Sequence, residues 1–132
     1  MPSDQDLIAA RIDSFYETIS GPAGFDHAWD ALPALFVPGA SILSRTAGTR
    51  PQALPVSEYI NGLRTSLANR DFFERGSDYR IEIYGDLAQV LSRYEASDDP
   101  SYTRIGKRGT NLIHLAREAG NWRIAGMVYQ DD

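Results

Sequence analysis

The chain has 132 residues, 42% hydrophobic and 23% charged, which is one domain's worth of sequence, read as a single domain over residues 1–132. A chain of this length buries roughly two-thirds of its unfolded surface, enough for one core without metal or disulfide staples. With no cysteine and only His27 and His114, thiolate chemistry, disulfides and histidine-rich metal sites are excluded, and no metal or cofactor is expected. The formal charge of -5, from 13 basic and 18 acidic residues, argues against nucleic acid as a partner. No apolar run reaches the roughly 20 residues that span a bilayer. The polar segment Met1–Asp6 does not read as a signal peptide. A cytoplasmic protein without membrane contact is the expectation.

The first predicted helix runs from Asp4 to Ser20. Ser3 supplies the N-cap, and Asp4 and Asp6 favour the positive end of the helix dipole. Ile8, Ile12, Phe15 and Ile19 fall on one face, with Tyr16 at its edge. Gly21-Pro22-Ala23-Gly24 stops it. A second, short helix is predicted from Asp26, with Trp29, Leu32, Leu35 and Phe36 apolar and Pro33 inside it. Ala40–Arg45 reads as a short strand and Thr46–Pro55 as a loop. Ser57 caps a third helix over Glu58–Arg70, with Tyr59, Ile60, Leu63 and Leu67 on its apolar side.

From Phe72 onward the period changes to two. Tyr79–Tyr84 alternates and ends at the hairpin signal Gly85-Asp86, with Leu87–Ala96 returning. Ser97–Gly109 reads as a long loop. Thr110–Arg117 and Trp122–Gln130 are two more strands joined by a tight turn. Helices first and strands later give the class α+β, with three helices and an antiparallel meander.

Several segments carry a family resemblance. "WDALPALFVPGA" (Trp29–Ala40), Ser57-Glu58-Tyr59-Ile60, "LAQVLSRYEA" (Leu87–Ala96) and "RGTNLIHLAREAGNWRIAGMVYQDD" (Arg108–Asp132) occur in the order of the nuclear transport factor 2-like fold, also called SnoaL-like or ketosteroid-isomerase-like. Phe72-Phe73-Glu74-Arg75 before the meander resembles a bacterial branch of that superfamily. The resemblance implies a curved antiparallel sheet wrapped around three helices as a cone, an apolar pocket at its wide end, and dimers formed through the outer sheet face. Fold does not fix activity.

Carried over position by position, the isomerase roles are poorly filled. The base position falls on Ser44, the oxyanion tyrosine on Phe15 or Tyr16, and the oxyanion acid near Ile113 or Leu112. A true ketosteroid isomerase is rejected on that ground. An Asp-Arg-Asp hydrolase arrangement lacks its aspartates, because Asp78 and Asp86 flank strand ends. His114 is one candidate base, its alternative being the outer sheet face; Asp30 and His27 belong to the second helix.

Alternation separates Ala88, Val90, Ser92 and Tyr94 from Gln89, Leu91, Arg93 and Glu95. The resemblance makes the first set concave, with Asn111, Ile113 and Leu115, then Ala125, Met127 and Tyr129. The expected pocket lining is Tyr16, Trp29, Phe36, Ser92, Tyr94, Asn111, Met127 and Tyr129. Asn111 either binds nearby backbone or orients a ligand. Glu74-Arg75 and Arg93-Glu95 read as structural charges. Trp122, Ile124, Val128 and Gln130 are placed outside, and Leu91, Leu112, Ile124 and Val128 form an apolar patch for a homodimer. The expected function is binding of a small hydrophobic molecule in the cone. The alternatives are an isomerase, dehydratase or hydrolase acting on a hydrophobic substrate, and a purely structural module.

Overall fold

The computed structural model describes residues 1–46 and 48–132. Helix α1 spans Asp4–Ile19 and starts in a capping box: the Ser3 hydroxyl accepts the Asp6 N–H, and Asp6 returns the bond to the Ser3 N–H. Its predicted face is its buried face, with Ile8, Ile12, Phe15, Tyr16 and Ile19 all in the core.

The second predicted helix does not form. Residues 26–31 fold as successive tight turns, and one 3-10 turn follows at Leu32–Leu35. Pro33 is the reason: it has no N–H to give the preceding turn, and its ring crowds the carbonyl four residues back. The fold therefore has two α-helices rather than three. Strand β1 is Phe36–Ser44, longer than expected, and β2 is Ala53–Pro55, inside the predicted loop. The Ala47 part of that loop lies outside the described residues. Helix α2, Val56–Leu67, begins before Ser57, with Pro55 at the cap position.

The meander comprises β3 (Phe73–Tyr84), β4 (Leu87–Ser97), β5 (Lys107–Glu118) and β6 (Asn121–Asp131). All its pairs are antiparallel, and Gly85-Asp86 is the expected hairpin turn. The full order is β2-β1-β6-β5-β4-β3, an open sheet in which β1 joins β6 in parallel. Helix α1 packs on β3 and β6, and α2 on β1, which places the core inside the curve. No helix among the described residues is long and apolar enough to cross a membrane.

Two one-residue bulges bend the sheet. In β3 the register slips between Ser77 and Arg80, where Asp78 takes a left-handed φ of 51°. In β6 it slips at Ala125, because His114 pairs with Gly126 but Leu115 with Ile124. The second bulge reverses the expected faces at the start of β6. Trp122 and Ile124, placed outside by strict alternation, are buried at 2% and 0% exposure, and Ala125, placed inside, is exposed. Trp122 donates its indole N–H to Asp4 (3.1 Å), which also holds Arg117 (2.9 Å), tying the start of α1 to the closing strands.

Candidate functional site

The concave face places Ala88, Val90, Ser92 and Tyr94 of β4 and Asn111, Ile113 and Leu115 of β5 in the interior, as the family resemblance implies. Most of the cone is solid. Phe36 and Met127, expected in the lining, are 2% exposed core residues, with Phe36 edge-on to Phe15. Trp29 also leaves the lining. With no helix to carry it, it stacks on His27 at 4.6 Å between ring centres. His27 is held by its Nδ1 on the Thr18 carbonyl (2.9 Å).

What stays open is a cavity of about 60 Å³ at the wide end. Three of the expected residues line it: Tyr94, Asn111 and Tyr129. Tyr16 and Ser92 stand behind Asn111. The Asn111 amide donates to the Tyr16 phenol oxygen (2.8 Å), which is also paired with the Ser92 hydroxyl (2.8 Å). Asn111, rather than Ile113 or Leu112, is thus the β5 residue that reaches Tyr16. Burial pushes the Tyr16 phenol up to about 12. Asn111 thus binds the Tyr16 side chain rather than nearby backbone, and it lines the cavity.

The rest of the lining was not foreseen. Tyr59 and Leu63 come from α2, Phe72 and Glu74 from the start of the meander, and Lys107 from β5. Glu74 decides the chemistry. Read as a structural charge, it instead opens into the cone. Its backbone is fixed by Ser20, whose hydroxyl accepts the Glu74 N–H (2.9 Å) and donates to the Tyr16 carbonyl (2.7 Å), so the end of α1 sets the start of β3. No hydrogen bond or ion pair reaches its carboxylate from the described residues. Burial therefore drives the Glu74 pKa up to about 7, with Lys107 pulling it down and Asp131 pushing it up more weakly.

Hydroxyl donors surround it. The Tyr94 phenol is committed to Asp131 (2.5 Å), and Asp131 lies 3.9 Å from the Lys107 ammonium. The hydroxyls of Tyr59 and Tyr129 have no partner among the described residues, and burial raises the Tyr59 phenol well above its usual value. A carboxyl near neutrality beside free phenols and an amide is a proton acceptor with donors at hand.

The other candidates fall outside. His114 points from the exposed convex face of β5, away from the cone. Asp30 is exposed and pairs with Arg64 (3.3 Å). Ser44 ends β1 exposed, opposite Tyr129. The signal for Glu74 was its place in the meander. Once the strand is extended back to Phe73, Glu74 and Gly76 pair with Ala96 and Tyr94 and share their face.

Neither a protein-family model nor a curated protein sequence matches the chain. Solved structures do. A protein of unknown function with a cystatin-like fold from Nostoc punctiforme superposes with a TM-score of 0.77 at 12% identity, over 98% of this chain and 93% of that one. A nuclear transport factor 2-like protein of unknown function from Silicibacter pomeroyi gives 0.67 at 20% identity, covering 96% and 93%. The beta subunit of benzoate 1,2-dioxygenase from Burkholderia mallei gives 0.74 at 12% identity, covering 100% and 92%. The open curved sheet with two helices packed inside it is therefore the cystatin-like fold of the nuclear transport factor 2-like proteins, and the chain has that fold.

Proposed function

We propose that the protein binds a small, mainly apolar molecule at the mouth of the cone and moves a proton on it, with Glu74 as the base. The observation that carries this reading is Glu74 itself: an unpaired carboxyl opening into the aromatic cavity, its pKa raised to about 7 by burial. A group that titrates near neutrality both accepts and returns a proton at working pH, which a surface carboxylate does not. The cavity admits only the end of a ligand, because small-molecule sites usually occupy several hundred Å³.

The chemistry follows from the neighbours. Glu74 takes a proton from the carbon beside a ligand carbonyl, and the electron pair moves to the carbonyl oxygen. A hydroxyl of Tyr59 or Tyr129, or the Asn111 amide, donates to that oxygen. Returning the proton to a different carbon completes an isomerisation, and delivering it to a leaving hydroxyl completes a dehydration. This favours the lyase or isomerase alternative over passive binding, and hydrolysis has no water-holding Asp-Arg-Asp group here.

The test needs no natural substrate. In heavy water the protein is expected to speed deuterium exchange at the carbon beside the carbonyl of a small ketone such as phenylacetone. The rate should rise through pH 7, and Glu74→Gln should lower it roughly a hundredfold or more. Equal rates for the two proteins would overturn the reading.

We also infer that the convex face pairs two copies. Ile124 is lost to the core, but Leu43, Val128, Leu112 and Leu91 are direct neighbours across β1, β6, β5 and β4. Leu112 and Val128 are 51% and 46% exposed. A continuous apolar row of this kind marks an interface. Light scattering behind size exclusion is expected to give twice the chain mass, and Leu112→Glu to give the monomer.

A further inference from the structure

Beside the Glu74 cavity lies a larger cleft of about 390 Å³, between the segment joining α2 to β3 and the loop joining β4 to β5. Three cations line it: Arg70, Arg104 and Lys107. Against two carboxylates, Asp71 and Asp98, the lining keeps one positive charge in excess. Asp98 holds Arg104 (3.3 Å), and Asp71 accepts the Ala23 N–H (2.8 Å). Arg70 makes no ion pair among the described residues. Its guanidinium stands 5.8 Å from the centre of the Phe72 ring. Lys107 reaches only as far as 3.9 Å from Asp131. Arg70 thus faces the cleft without an ion-pair partner, and Lys107 is held only by its long pair with Asp131.

The cleft is built rather than collapsed. Asp99 accepts the N–H groups of Ser101 (3.1 Å) and Thr103 (3.0 Å), and Gly106 N–H binds the Ala96 carbonyl (2.8 Å). The Ser97 hydroxyl donates to the Arg104 carbonyl (2.5 Å), and Arg75 lies over the Tyr102 ring at 4.0 Å. These bonds hold the loop that carries Arg104 and Lys107 before any ligand arrives, which lowers the cost of binding. Phe72 and Lys107 line this cleft and the Glu74 cavity alike.

We propose that this cleft binds the oxyanion of the ligand, so that the ligand class is a small organic acid, a carboxylate or phosphate on an apolar body that passes Phe72 to reach Glu74. Guanidinium and ammonium groups recognise such an oxyanion directly. One unpaired and one loosely paired cation suit one compact anion and not a polyanion, in keeping with the chain's charge of -5. The inference rests on the Glu74 reading for the position of the apolar end.

The experiment is an NMR titration of the protein with phenylacetate, phenyl phosphate and the neutral 2-phenylethanol. Both anions are expected to shift resonances of the cleft residues and to bind roughly tenfold or more tightly than the alcohol. The tighter of the two identifies the oxyanion. Arg70→Gln with Lys107→Gln, both at exposed positions, should erase the preference for acid over alcohol. Equal affinity for acid and alcohol, an unchanged preference in the double variant, or no response to either anion overturns the proposal. The ketone exchange rate and a carboxyl titration of Glu74 in ligand-free protein test the Glu74 reading without the cleft, so the two can fail separately.

Discussion

Glu74→Gln is expected to stabilise the folded chain at pH 8 while removing the proton transfer proposed for Glu74. Folding raises the Glu74 pKa from 4.5 to about 7, because the cavity disfavours the charged form. Between those two values the folded protein holds a proton that the unfolded chain has released. Stability therefore falls as the pH rises from 4.5 through 7 and then levels. The full penalty above pH 7 is roughly 3 kcal/mol, taking about 1.4 kcal/mol per pKa unit. Glutamine keeps the shape and carries no charge at any pH. Urea unfolding at pH 4.5, 6 and 8 should show the native protein losing stability along that series. The variant should lack this decline and be the more stable at pH 8. Parallel profiles would place Glu74 in water and remove the argument for a base. A group that costs stability where nothing structural depends on its charge belongs to the chemistry of a site.

Gly109→Ala should cost about 3 kcal/mol, the upper end of ordinary overpacking. A Cβ there would collide with the Tyr94 phenol and stand 2.5 Å from the Gln130 carbonyl oxygen. The phenol could swing away only by leaving Asp131 (2.5 Å), and the carbonyl belongs to β6, which pairs along β5. Gly76→Ala makes the comparison. Its Cβ would lie 2.5 Å from the Tyr16 ring and 2.6 Å from the Tyr79 hydroxyl, both side chains rather than backbone. The Gly76 variant should therefore lose less than the Gly109 variant in thermal or urea unfolding. A Gly109→Ala protein with the native midpoint would mean that β5 and β6 yield more than their ladder allows.

The parts of this fold set by local pattern were legible. The Ile8, Ile12, Phe15 and Ile19 stripe, the Ser3 cap and the Gly85-Asp86 turn needed only neighbouring residues. So did the alternation that set Ala88, Val90, Ser92 and Tyr94 on one face, whereas the family resemblance said that this face and Asn111 are concave. Counting by twos failed where one extra residue resets the count. The Ala125 bulge turned Trp122 and Ile124 inward, and the Asp78 bulge separates Glu74 and Gly76 from the plain alternation of Tyr79–Tyr84. Gly126, next to Ala125, is the local mark of this bulge, since an isolated glycine inside a strand often sits at one. Glu74 was missed for a second reason. Glu74 and Arg75 both read as charges with cross-strand partners, which holds for Arg75 on Glu95 (3.1 Å) but not for Glu74.

The parallel pairing of β1 with β6 has a consequence for how the molecule assembles. β1 ends at Ser44 and β6 starts at Asn121, with the other strands between them in the chain, whereas β3, β4, β5 and β6 pair with their neighbours in sequence. Adjacent hairpins form at small cost in loop entropy, and a pairing across most of the chain comes at a larger one. The meander can therefore gather first, bringing Glu74, Tyr94, Asn111 and Tyr129 to one surface. Joining β1 to β6 is the distant contact that must be won last. It brings α2 and Tyr59 with it, so the wall that carries Glu74 precedes the roof that encloses it.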